Sequence, residues 1–196
     1  LGDVYKRQSY SNKVFSARMD GYLQWISGYI YDEPKKETIT VISGVYPVFQ
    51  YKQTPAFFRG MDFDFHFMPI NSWDYHLIAS FIRANEQTTG NYLPYIPSSR
   101  FSHDLSWLHE TKSHSKLRLS IRHRFVAKQT RFDSNTDLIP YTPPAYHLLG
   151  FAASFECPVK YGYKLQFMIA ADNILNKEYK AVSYTHLRAH ETLSDL

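Results

Sequence analysis

Histidine and aspartate side chains carry the most evident chemistry of this chain, because imidazole binds transition metals and titrates near neutral pH. Only His66 and His76 are spaced so that they could be neighbours on two adjacent strands, with Asp64 and Asp74 beside them. These four side chains could hold a metal ion, but their spacing favours an ordinary hydrogen-bonded network, and no metal site is predicted. The other histidines considered are too dispersed for a local site: His103, His109, His114, His123 and His147.

Acid and base catalysis is the second chemistry that the carboxylates could support. They are spread over separate segments, so we predict salt links to arginines instead. No ordered Ser, His and Asp set, no Gly-rich phosphate loop and no HExxH motif occurs. We therefore predict no enzyme activity and no cofactor. The carboxylates are Asp62, Asp64, Asp74 and Asp104, and a basic strip is formed by Arg118, Arg122 and Arg124.

Composition restricts the class of protein. A chain of 196 residues predicts one domain, and 17% aromatic residues exclude a disordered or collagen-like chain. The net charge of +4 is spread along the sequence, which gives nucleic-acid binding little support. The single cysteine, Cys157, cannot build a disulfide framework. No apolar run approaches the roughly 18 residues of a membrane-spanning helix.

Alternation of apolar and polar residues is the main structural signal, since successive side chains of a strand point to opposite faces. In six segments the odd positions are apolar except for His103 and His123, and the even positions carry most of the charge. The pattern predicts an all-β, antiparallel up-and-down meander with one apolar and one charged face. The segments are Met61–Met68, Trp73–Ile82, Phe101–Leu108, Lys116–Phe125, Leu149–Glu156 and Tyr163–Ala170.

Such a sheet fits either a sandwich in water or a barrel in an outer membrane. Three features favour the barrel: rings near the ends of the apolar stretches, charges on every polar stretch, and connections that alternate between short and long. The long connections are predicted at Arg83–Arg100 and Ala127–Leu148. The alternative is a secreted β-sandwich that binds carbohydrate through its aromatic residues.

Two hairpin registers follow from matching the unusual residues. One register places His103 opposite His123 and Asp104 opposite Arg122, and a second places Glu156 opposite Lys164, because opposite charges across strands are favourable. Upstream, shorter strands are predicted at Val14–Met19, Tyr22–Tyr31, Thr38–Ser43 and Val45–Tyr51, with a turn at Asp32–Lys36.

The two ends of the chain are expected to be foreign to the protein. Residues 1–8 and 182–196 read as the translation of an inverted DNA repeat that resembles transposon-derived sequencing adapters, and such segments are excluded from fold arguments. We expect residues 9–181 to be an internal fragment. The absence of a signal sequence at the start then carries no information about export.

Four segments between the strands, in their order along the chain, resemble the C-terminal barrel of TonB-dependent outer-membrane receptors. The resemblance implies a fragment of a 22-stranded transmembrane β-barrel, with the N-terminal plug domain and the last strand missing. The segments are Phe58–Asp62 (FRGMD), Leu93–Arg100 (LPYIPSSR), Tyr141–Tyr146 (YTPPAY) and Asp172–Tyr179 (DNILNKEY).

The resemblance also implies a function. Members of the family import scarce, bulky solutes, most often iron chelates or haem, across the outer membrane of Gram-negative bacteria. The expected partners are outer-membrane lipid, the TonB complex acting through the missing N-terminal part, and a small-molecule chelate as substrate. For the basic strip, contact with the missing plug is the first expectation and an anionic substrate is the alternative. The residues expected to face the lumen or the plug are Asp62, Asp64, His66, Asp74, His76, Asp104, Arg118, Arg122 and Arg124. Residues on the long outer loops are candidates for ligand capture, with ordinary anchoring of the loops as the alternative for each: Tyr92, Tyr95, Arg131, Tyr141 and Tyr146.

Overall fold

The computed structural model describes residues 2–131, 142–159 and 162–179. All the strands in these ranges form one antiparallel sheet in which each strand pairs with its neighbours in sequence. The predicted all-β meander is therefore confirmed. The strands are β1 (Gly2–Ser11), β2 (Phe15–Val41), β3 (Gly44–Ile70), β4 (Trp73–Glu86), β5 (Arg100–Glu110), β6 (Lys116–Val126), β7 (Tyr146–Pro158) and β8 (Lys164–Ala171).

From β3 onwards the connections alternate in length as predicted, whereas β2 and β3 are joined by a two-residue turn. Short turns join β1 to β2, β3 to β4, β5 to β6 and β7 to β8 at one end of the sheet. Long connections join β4 to β5 and β6 to β7 at the other end. We call these the short-turn end and the long-loop end. No helix in the described ranges is both long enough and apolar enough to cross a membrane.

The upstream strands are longer than the sequence predicts. The four predicted short strands merge into β2 and the first half of β3, and the turn expected at Asp32–Lys36 is wrong because Asp32–Pro34 pair with residues 49–51 of β3. A register shift after Pro34 leaves residues 35–37 unpaired. Pro34, which has no N–H to donate, therefore lies at the end of a paired stretch and not within one. The chain reverses at residues 42–43, before Gly44 with a φ of 140°.

One of the two predicted hairpin registers is confirmed and the other is wrong. His103 lies opposite His123 and Asp104 opposite Arg122. Glu156, however, lies opposite Gln166, not Lys164. The β7–β8 turn is wider than predicted, because the Val159 N–H donates to the Tyr163 carbonyl across it.

The sheet has an apolar face, which carries the odd-numbered residues of β3–β8, and a polar face, which carries the even-numbered ones. Within the described ranges no second layer covers the apolar face: Ile121 is 51% exposed and Phe151 41% exposed, although both lie on inner strands. A sandwich core would bury such side chains. The arrangement is that of a single wall.

The small buried core lies on the polar face, at the long-loop end. The connection between β4 and β5 folds back over the sheet there, and the Leu93 N–H donates to the Ala84 carbonyl. Burying apolar side chains under this loop excludes water from its backbone hydrogen bonds. The buried side chains are Tyr31, Ala56, Phe58, Ala84 and Leu93, with Ile26, Tyr29, Ile82 and Ile96 packed against them.

Candidate functional site

An ion network crosses the polar face of β2, β3 and β4. Asp64 Oδ2 lies 3.1 Å from Arg18 Nη2, and Asp64 Oδ1 lies 3.0 Å from His76 Nε2. His66 Nε2 lies 2.5 Å from Asp74 Oδ1, so each histidine pairs with the carboxylate of the opposite strand. The sequence correctly predicted that His66 and His76 are cross-strand neighbours.

The network continues on β5 and β6. Arg122 Nε donates to Asp104 Oδ1 at 2.8 Å, and Arg122 Nη1 lies 3.6 Å from Asp172 Oδ1 beyond β8. The predicted links between aspartates and arginines are thus formed at Asp64 and Asp104. Asp62, Arg118 and Arg124 also lie on the polar face, and none of them forms an ion pair with a described residue.

The geometry of the histidines matches hydrogen bonding. In the part of the chain that is described, no group of three His, Cys, Asp or Glu side chains is arranged to hold a metal ion. His66 and His76 meet edge to face with their ring centroids 5.5 Å apart, and each turns a nitrogen towards a carboxylate. An open cavity of about 400 Å³ lies against this network and is lined by residues of β1, β2, β3 and β4.

Glu86 anchors the loop between β4 and β5, and sequence analysis missed it. The carboxylate is buried, and it accepts hydrogen bonds from Thr54 Oγ1 at 2.5 Å and Thr89 Oγ1 at 2.6 Å. These hydrogen bonds, first that of Thr54 and then that of Thr89, lower the pKa of Glu86 below its ordinary value. The signal in the sequence was weak, because Glu86 lies within the predicted connection Arg83–Arg100, whereas β4 extends to Glu86.

The loop candidates differ in their accessibility. Tyr92 is 40% exposed, whereas the Tyr95 hydroxyl donates to the Asp32 carbonyl at 3.1 Å and ties the loop to β2. Tyr146 is not on a loop: it starts β7, is 5% exposed and packs against the Tyr179 ring at 4.7 Å. Tyr141 lies outside the described residues.

Arg131 lies on the connection after β6, at the long-loop end, where the charges of two other arginines act on it. Burial, followed by the nearby charges of Arg83 and Arg59, lowers the pKa of Arg131, while Tyr92 acts in the opposite direction. Arg59 and Arg83 are direct cross-strand partners and both are exposed. Sequence analysis missed the pair of Arg59 and Arg83, because only the pairing of β3 with β4 brings these two residues together.

A row of histidines crosses the apolar face. His103 and His123 stack with ring centroids 5.6 Å apart, and His123 Nε2 lies 2.9 Å from His147 Nδ1, so that one nitrogen donates and the other accepts. The Tyr75 hydroxyl lies 2.8 Å from His103 Nδ1. His103 and His123, the two polar exceptions of the sequence pattern, therefore stack on each other, and each also has a hydrogen-bond partner, Tyr75 and His147 respectively. The sequence pattern did not include His147.

A single sheet with one uncovered apolar face and one ion-paired face is the wall of a barrel, not half of a sandwich. The family described as TonB dependent receptor-like, beta-barrel matches residues 5–174. The chain belongs to this family, as its motifs suggested. No curated protein matches the chain.

Two solved structures have a similar fold. The copper transporter OprC superposes with a TM-score of 0.72 at 16% identity, over 92% of this chain and 26% of that protein. BauA, the ferric preacinetobactin receptor from Acinetobacter baumannii, superposes with a TM-score of 0.66 at 18% identity, over 90% of this chain and 25% of that protein. The chain spans about a quarter of the length of each, and at this identity the likeness concerns the fold.

Proposed function

We propose that the chain is part of the barrel wall of a receptor in the outer membrane of a Gram-negative bacterium. The observation that carries the proposal is the family match over a sheet whose apolar face is uncovered and whose opposite face is ion-paired. In a barrel the apolar face would contact lipid and the polar face would line the lumen. The long-loop end would then face outwards and the short-turn end the periplasm.

The proposed activity is energy-coupled uptake of a scarce, bulky solute, with TonB as the partner that supplies the energy, and not catalysis. An iron chelate or haem is the first expectation, supported by the resemblance and by BauA, which is a receptor for ferric preacinetobactin. The name of OprC makes copper the alternative outcome of the test. Tyr92 is the best placed of the proposed capture residues, since it is exposed at the long-loop end.

The test uses the complete receptor that contains this segment. A strain lacking its gene should lose uptake of radiolabelled ferric siderophore or haem, and the loss should be reproduced by deleting TonB. A matched measurement of copper accumulation distinguishes uptake of an iron chelate or haem from uptake of copper. Uptake of all three solutes at the parental level in both deletions would contradict the proposal.

We further propose, as the sequence suggests, that residues 1–8 and 182–196 are adapter-derived and that residues 9–181 are an internal piece of the barrel. The pairing of β1 with β2 supports this, because it places Lys6 and Gln8 on the apolar face beside Gly21 and Met19. A lysine on the lipid side of a barrel is unfavourable, at a cost that falls from about 2–4 kcal/mol at the bilayer midplane to about 0–1 kcal/mol near the interfaces.

Sequencing the complete gene in its genome, without the proposed adapter segments, tests this proposal independently of transport. The gene should encode apolar residues at the positions now held by Lys6 and Gln8, a plug upstream and one further strand downstream. A genomic sequence that reads through residues 1–8 unchanged would contradict it. That result would leave the receptor assignment intact.

A further inference from the structure

The β4–β5 loop (residues 87–99) is bound to several strands at once. The Gln87 N–H donates to the Pro55 carbonyl of β3 at 2.8 Å. The Tyr95 hydroxyl donates to the Asp32 carbonyl of β2, although β3 lies between β2 and β4 in the sheet. Since the buried core under the loop is on the polar face, the loop crosses the strands on that face.

The far end of the loop is tied to the connection after β6. The Gln129 Nε2 donates to the Ile96 carbonyl at 2.6 Å, and the Ala127 N–H donates to the Ser99 carbonyl at 2.9 Å. In the sheet, β6 lies on one side of β5 and β2 lies beyond its other side. The loop is therefore anchored on both sides, like a strut across the wall.

The middle of the loop is buried against the wall. Leu93 is 3% exposed and Ser98 7% exposed, and Pro94 is buried as well. Lifting the loop would expose these side chains and break its anchoring hydrogen bonds together. Segments that open readily have few buried contacts and solvent-exposed hydrogen bonds. The β4–β5 loop has neither property.

The tip of the β2–β3 hairpin, at the same end of the sheet, is held less firmly. Residues 38–41 and 44–47 pair with each other and with no further strand in the described ranges. Ile39 is 55% exposed and Tyr46 50% exposed. A two-stranded hairpin without a third strand is at best marginally stable in water. The hairpin tip therefore serves as an internal comparison for the loop.

We propose that the β4–β5 loop is a fixed part of the rim of the lumen, which stays on the wall throughout uptake and limits the size of the solute admitted. This proposal rests on the proposed function, because it needs the polar face to line the lumen. A layer of chain on that face narrows the space left for a solute. A layer that does not yield excludes larger solutes by steric clash, which is a basis of specificity.

Hydrogen exchange of the complete receptor in detergent tests the immobility of the loop without any solute. The Leu93 N–H donates to the Ala84 carbonyl at 3.2 Å. We expect this amide to exchange about as slowly as the paired amides of β4, and at least roughly tenfold more slowly than those of residues 38–41. Exchange of the Leu93 amide at the rate of the hairpin tip would overturn the proposal.

A disulfide between the loop and β4 tests whether uptake needs the loop to move. In a Cys157→Ser background, A84C/L93C joins two residues that share a backbone hydrogen bond and one buried cluster, which is within disulfide reach. Uptake of radiolabelled ferric siderophore and of haem should be equal before and after reduction of this disulfide. Loss of uptake in the oxidised protein that reductant restores would contradict a fixed loop, as would failure of the two cysteines to bridge.

Loosening the loop tests the size limit. T54V/Q129A removes one hydroxyl bond to Glu86 and one amide bond to the loop, and T111V is the matched control because Thr111 Oγ1 accepts from the Ser115 N–H in a short turn at the opposite end. Each receptor takes up a ferric siderophore or the same siderophore carrying a bulky fluorophore. We expect T54V/Q129A to reduce the preference for the smaller solute roughly threefold and T111V to keep it.

An unchanged preference in T54V/Q129A, or an equal change in T111V, would overturn the size limit. The two proposals fail in different ways. A parent receptor that takes up no solute contradicts the proposed function, and hydrogen exchange then still decides whether the loop is fixed. A parent that transports normally while its oxidised A84C/L93C variant does not contradicts the fixed loop alone.

Discussion

At the scale of single residues, a buried carboxylate fixes the loop that the family motif encodes. Glu86 receives one hydroxyl hydrogen bond on each oxygen, from Thr54 and Thr89, and Thr89 lies on the loop itself. Hydrogen bonds to a charged group are worth about 1.5–3 kcal/mol when the group is buried. Glu86 therefore joins β3, β4 and the start of the loop.

Replacing Glu86 by glutamine tests this role. The amide can accept on one oxygen only, so we expect E86Q to lower the free energy of unfolding by about 1–3 kcal/mol at neutral pH. The measurement is urea denaturation in detergent, followed by tryptophan fluorescence. E110Q is the matched control, because Glu110 is 47% exposed and its partners His114 and Lys116 lie 3.6 Å and 4.0 Å away. Exposed pairs contribute at most about 1 kcal/mol.

The same carboxylate predicts a dependence on pH. Its pKa in the folded protein is lowered, so its stabilisation is present above the ordinary glutamate value of about 4.3 and is lost as pH falls through the lower folded pKa. The parent should therefore lose part of its stability over E86Q on acidification from neutrality to below pH ~4. A difference between the two proteins that stays constant over this range would contradict the assignment.

At the scale of the elements, the β7–β8 hairpin distinguishes the pattern-based register from the structural one. Cys157 lies opposite Leu165, whereas the register that pairs Glu156 with Lys164 would place Cys157 opposite Tyr163. The Lys164 Nζ still reaches Glu156 Oε1 at 2.9 Å, although the two residues are not direct partners. The long side chain of Lys164 thus forms the expected ion pair with Glu156, although Lys164 lies directly opposite Pro158.

Disulfide trapping decides between the registers, because two cysteines bridge only when their Cα atoms are within about 7 Å and their Cβ atoms face each other. We expect L165C to oxidise with Cys157 in high yield and Y163C to remain largely reduced. Thiol titration after copper phenanthroline treatment measures the yield. The opposite ranking would show that the charge-matched register is the correct one.

At the scale of the whole molecule, the assignment depends on which side of the wall contacts hydrocarbon. Ile121 and Ser120 are neighbours on β6 and lie on opposite faces; Ile121 is 51% exposed, and the Ser120 hydroxyl lies 2.8 Å from that of Ser106. This pair therefore offers two probes at the same height in the wall.

Cysteine labelling of the two sites in a Cys157→Ser background tests the orientation of the wall. In reconstituted receptor, I121C should react with a bilayer-restricted maleimide, and S120C with a water-soluble one. The two reagents serve as controls for each other at each site. Reversed labelling would contradict the proposed orientation and with it the membrane location.

The sequence by itself determined the all-β class, the two faces, the alternation of short and long connections, the β5–β6 register and the family. These features are local or depend on one hairpin: the period of two is set by strand geometry, and a short turn leaves few registers for Asp104 and Arg122 to meet. The order of the motifs along the chain indicated the family, although it did not show which side chains are in contact in the folded sheet.

Only the tertiary structure decided the long β2 and β3 strands, the core beneath the Leu93 loop, the β7–β8 register and the clusters around Glu86 and Arg59. Each depends on a bulge, a turn width or a contact between residues far apart in sequence, none of which the alternation of apolar and polar residues encodes. Alternation indicates on which face of the sheet a residue lies, whereas the pairing of the strands decides which residues on that face are neighbours.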